Sequence, residues 1–130
     1  MTYRTVNPYT NELIKEYPFA TDRDLERALS DSYSLYKKMK TQNLSERASI
    51  LHNIAKYFRD HEDELGKICT VDMGKLFIES KGEVELCAII ADYFADHAGE
   101  FLKPEKIDTI ATGEAEIQKH ATGVIMMVEP

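Results

Sequence analysis

Apolar and polar positions follow two different periods along this chain, and the changes of period mark its elements. Residues 3–6 and 12–17 are short runs of strand character on either side of Asn7-Pro8-Tyr9-Thr10-Asn11. Asn-Pro followed by Thr-Asn is turn chemistry, because proline sets φ and asparagine side chains bond their own backbone. The two runs predict a β-hairpin arm within residues 1–20. From residue 21 the period becomes helical. Thr21 and Asp24 stand where a capping box would sit, and Leu25, Ala28, Leu29, Ser32, Tyr36 and Met39 then form one apolar stripe on a charged helix. Thr41-Gln42-Asn43 ends it.

Ser45 is the expected cap of the next helix, with Ala48, Leu51, Ile54, Ala55 and Phe58 as its buried stripe. The acidic run Asp60 to Glu64 reads as a solvated junction. A further helix carries Leu65, Ile68, Cys69 and Asp72, and Gly74 is placed to end it in the left-handed conformation. A long helix follows from Ile78 to Phe101. Its middle, Leu86-Cys87-Ala88-Ile89-Ile90-Ala91, is apolar all round, the character of a helix covered on every side. Lys103-Pro104 closes it. Residues 104–113 read as a loop, 115–120 as a weakly alternating strand, and 123–130 as an apolar strand running into a turn. A strand that apolar needs neighbours on both sides and a layer over each face. The preceding residues offer no parallel partner for it. The chain therefore reads as the front of a larger α/β sheet protein, with apolar surface around Ile89, Ile90 and the last strand awaiting cover.

Composition narrows the function classes. Lys and Arg total 16 against 23 Asp and Glu, a net charge of -7. An acidic surface of that kind argues against nucleic acid and anionic membranes as partners. No apolar run approaches the ~20 residues that span a bilayer, and Met1 to Val6 has no signal-peptide core. Cys69 and Cys87 lie in apolar patterns and read as core thiols in a reducing compartment, so a cytoplasmic location is expected. The histidines at 52, 61, 97 and 120 make no spaced metal pair. The glycines make no G-x-G-x-x-G phosphate cradle.

Several strings together carry a resemblance. Thr5-Val6-Asn7-Pro8 with Thr10 resembles the VNPxTG opening of the aldehyde dehydrogenase superfamily, with Asn11 in place of its glycine. Arg47 and the helix after it resemble that family's R…L…A helix. Asp72-Met73-Gly74-Lys75 resembles its E/D-x-GK segment, and Gly82-Glu83-Val84 the GEV that opens its long helix. Tyr93-Phe94-Ala95 resembles its YYA, and Gly123-Val124 to Glu129-Pro130 its GVxxxIxP strand and turn, with Thr122 replacing the commoner valine. The chain is similar throughout, most of all to the succinate-semialdehyde dehydrogenase branch.

The resemblance implies an α/β fold. Residues 1–130 would be the mainly helical N-terminal part of a cofactor-binding domain. It would divide into a hairpin arm (1–20), a helical layer (21–102), an oligomerisation-type strand (114–120) and a first sheet strand (123–130). It also implies NAD- or NADP-dependent oxidation of an aldehyde to an acid through a cysteine thioester, by a homo-oligomer, with the nucleophile, glutamate base and glycine motif all beyond Pro130. On that footing the chain alone is expected to be inactive, and Val128, Glu129 and Pro130 would line the cofactor cleft. For Val128, a place in the core stands as an equal alternative. Leu86 would line the substrate channel, against the plainer reading of a core leucine. Thr5 and Val6 carbonyls with the Asp72 carboxylate would hold a monovalent cation, against the plainer reading of an acid hydrogen-bonded to the hairpin. A different class also fits: a non-enzymatic helical module binding another protein through Leu86–Ala91, or a truncated paralogue.

Overall fold

The computed structural model describes residues 2–110 and 112–128. Eight elements follow in order: β1 (Tyr3–Val6), β2 (Leu13–Tyr17), α1 (Asp22–Met39), α2 (Leu44–Asp60), α3 (Glu62–Met73), α4 (Phe77–Phe101), β3 (Glu105–Ile107) and β4 (Ala115–Ile117). The two short sheets are separate antiparallel hairpins, β1 with β2 and β3 with β4. The first turns as its sequence predicts. The Asn7 side chain accepts from the Tyr9 amide at 2.9 Å, and Asn11 adopts φ 60°. That is the left-handed region in which asparagine is well tolerated.

The helices start and stop for local reasons. Thr21 and Asp24 form both bonds of a capping box on α1. α2 is capped by Asn43, whose side chain accepts from the Glu46 amide at 2.8 Å, and not by Ser45, whose hydroxyl donates to Asn43 instead. α3 ends on Gly74 at φ 70°. A Cβ at Gly74 would also stand 2.9 Å from Cγ of Pro8, so glycine both ends the helix and lets the hairpin dock there. Pro104 does not open a loop: Glu105–Ile107 pairs with Ala115–Ile117. Over 123–128 the expected strand of 123–130 does not form, since no strand pairs with these residues among the described residues, and Glu129 and Pro130 lie outside them. Strand character there needs a neighbour that no described residue supplies.

Small side chains hold the centre. α4 buries Ser80, Val84, Ala88 and Ala95 along one stripe, where α2 contributes Ala55 and α3 contributes Gly66. Ser80, fully buried, accepts from the Thr70 hydroxyl at 3.0 Å. The rim is ionic. Arg59 on α2 reaches Glu85 at 3.2 Å and Asp92 at 2.7 Å, and His52 approaches Asp92 at 2.9 Å and Asp96 at 3.3 Å. The His52 and Arg59 bonds hold the Asp92 carboxyl below its ordinary value of 3.8. Lys81 on α4 ties Glu62 and Asp63 at the start of α3.

The large apolar residues lie elsewhere. α1 buries none of its stripe. Ile54 on α2 is exposed, and the middle of α4 is covered on one side only, leaving Leu86, Ile89, Ile90, Tyr93 and Phe94 bare. Cys87 is exposed and Cys69 half-buried, so neither is the core thiol its apolar context predicts. The accessible surface is 11075 Å² for a mass of 14.9 kDa. A folded monomer of that mass exposes about 7,000 Å², so roughly 4,000 Å² more is open to solvent here.

Four outcomes follow. Gly74→Ala is expected to lower stability by at least ~1–2 kcal/mol, from the left-handed backbone and the Pro8 contact together. Gly99→Ala, in an open helical position, is expected to raise it by about 0.4–1 kcal/mol. Urea midpoints of both variants check the pair. Asp92 has a depressed folded value, so its contribution is complete above 3.8 and is lost as pH falls through that folded value. Asp92→Asn is expected to flatten part of the acid loss of stability, and an unchanged acid slope would show that this carboxylate carries no linkage. Leu86→Glu with Ile90→Glu is expected to reduce binding of an apolar dye and self-association, read by fluorescence and sedimentation, with helix content retained.

Candidate functional site

Docking of the first hairpin onto the end of α3 brings together two of the residues singled out by sequence. Thr5 on β1 and Asp72 on α3 line one hollow of about 470 Å³, with Ile14, Tyr17, Ile68 and Val71 as its apolar wall. Val6 is half-buried beside it and is not part of the lining. Asp72 is exposed, and no described residue makes a hydrogen bond or ion pair to it, so the expected bond to the hairpin is absent. Glu64 adds a second carboxylate to the hollow, but Lys15 and Lys67 add two ammonium groups. A cation wants a shell of oxygen ligands and no neighbouring positive charge. These residues alone do not complete such a shell, and among the described residues no cluster of His, Cys, Asp or Glu gathers to hold an ion.

Leu86 is 53% exposed, in a row with Ile89, Ile90, Tyr93 and Phe94 on the bare side of α4. Among the described residues no element covers it. The helical period does put Leu86 among apolar neighbours, but α2 and α3 both rest on the other side. Beyond Tyr93 the surface turns aromatic: the His97 ring stacks on Tyr93 at 4.2 Å, and Phe101 closes on Phe94 at 6.2 Å.

At the other end of α4, Glu83 gathers two partners. Lys75, in the link after Gly74, pairs with one of its oxygens, and the Cys69 thiol donates to the other at 3.5 Å. The lysine first, and the thiol second, hold the Glu83 carboxyl below its ordinary range. The same pair raises the Lys75 ammonium. Cys87 makes no hydrogen bond among the described residues. The base beside the Cys69 thiol is the Glu83 carboxylate, already paired with Lys75, and the Cys87 thiol has no paired base among the described residues.

Of the three residues expected at a cofactor cleft, Glu129 and Pro130 lie outside the described residues. Val128 is 79% exposed, with no cover among the described residues. Residues 121–124 lie against α1, where the Tyr36 hydroxyl donates to the Ala121 carbonyl at 3.2 Å. With one apolar side chain and no phosphate cradle, the described residues do not by themselves make a dinucleotide site.

Sequence reasoning missed the polar chain Glu85–Arg59–Asp92–His52–Asp96. Arg59 and Asp92 are 33 residues apart and His52 and Asp92 are 40 apart, so no local spacing announces them. His61 sits at the junction between α2 and α3, where its ring stacks on Tyr57 at 4.0 Å and bonds the Tyr57 carbonyl.

Comparison with known proteins agrees with this geometry. The model of the aldehyde dehydrogenase family matches residues 1–130. A succinate-semialdehyde dehydrogenase [NADP(+)] of Deinococcus radiodurans is 34% identical over 128 residues, covering 98% of this chain and 27% of that protein. A malonate-semialdehyde dehydrogenase of Bacillus cereus is 33% identical over 125 residues, covering 95% and 25%. The crystal structure of succinic semialdehyde dehydrogenase from Streptococcus pyogenes, in complex with NADP+, superposes with a TM-score of 0.86 at 44% identity, covering 93% of this chain and 27% of that one. The chain thus spans about a quarter of the length of the curated relatives it matches. The hairpin turn, the left-handed Gly74 and the long α4 occur in one continuous match from end to end, and the chain belongs to the aldehyde dehydrogenase family.

Proposed function

We propose that this chain serves as the amino-terminal part of an NAD(P)-dependent aldehyde dehydrogenase that oxidises succinate semialdehyde to the acid through a cysteine thioester, as a cytoplasmic homo-oligomer. The carrying observation is the excess surface. Roughly 4,000 Å² beyond a compact fold is about five times what one partner buries in a standard interface, and large apolar side chains such as Leu86, Ile89, Ile90 and Phe94 stand exposed. A small non-enzymatic module would need no such area.

The supporting chemistry is mostly negative. The Cys69 thiol meets a carboxylate already paired with Lys75, the Cys87 thiol has no paired base among the described residues, and Val128 lies in the open. On this reading the thioester nucleophile and the hydride acceptor's site lie in other parts of the subunit. This chain's own part is to supply walls. The Leu86–Phe94 face of α4 excludes water from whatever docks against it. The exposed β3–β4 hairpin offers a free edge to a neighbouring sheet. The semialdehyde substrate and NADP rest on the relatives' names, and malonate semialdehyde is the comparison substrate.

The test is a joined enzyme. Residues 1–130 alone are expected to give no NADPH from succinate semialdehyde. Joined to the remaining three quarters or so of the Streptococcus pyogenes relative, they are expected to support NADP+-dependent oxidation. Turnover by the 130-residue chain alone would overturn the proposal, as would a folded, inactive joined enzyme.

A further inference from the structure

We draw no further inference here: the strongest candidate, the exposed apolar face of α4 formed by Leu86, Ile89, Ile90, Tyr93 and Phe94, carries nothing because nothing in the structure shows what covers it.

Discussion

Close approach of α2 and α3 to one side of α4 is the constraint on which the rest of the molecule depends. It is made possible by side chains that are barely there: Ala55, Gly66, Ser80 and Ala88 occupy the contact. A Cβ on Gly66 would meet Cγ of Lys81 at 3.0 Å and the Lys81 backbone nitrogen at 3.4 Å, so α3 sits as near to α4 as a helix backbone can. A seam of small residues brings helices together through van der Waals contact of backbones and short side chains. It buries little apolar area per residue. The bulk of the hydrophobic surface must then go elsewhere, and here it goes to the outside.

The ionic rim follows from the same closeness. Arg59, His52 and Lys81 reach across helix gaps that the small seam has narrowed. These pairs are partly exposed, and exposed ion pairs contribute little energy singly. Their joint effect is alignment. Arg59 meets two acids of α4, Glu85 and Asp92, about two turns apart, and Asp92 is shared between Arg59 and His52, so a slide of α2 along α4 breaks several contacts at once. Lys119 does the same for the second hairpin, bonding the Phe101 carbonyl at 3.0 Å and Glu105 at 2.7 Å, where a cation suits the carbonyl end of α4.

For a family of dehydrogenases this arrangement divides labour. One side of α4 is finished within the chain, and the other is an apolar wall with an aromatic end. The first hairpin is pinned to α3 through Pro8 and Gly74, which places Thr5 opposite Asp72 without any direct bond between them. The chain therefore presents surfaces, an apolar wall on α4 and a hollow between the first hairpin and α3.

Local features were legible in the residues alone, because their causes lie within a few positions. The Thr21–Asp24 box, the Asn7–Asn11 turn and the left-handed Gly74 each follow from what one short side chain, or none, permits the adjacent backbone. The family was legible for the same reason, since its strings mark turns and helix ends. Other features were decided by tertiary structure. Asn43 prevailed over Ser45 because only its side chain reaches the Glu46 amide. Glu105–Ile107 became a strand because Ala115–Ile117 came alongside, whereas 123–128 found no partner. Leu86 and Cys87 sit in an all-apolar stretch, yet they face outward because α2 and α3 chose the side of α4 with Val84 and Ala88. Periodicity says that a helix has something to bury. Only packing decides which face is covered, since that depends on how close two backbones can come.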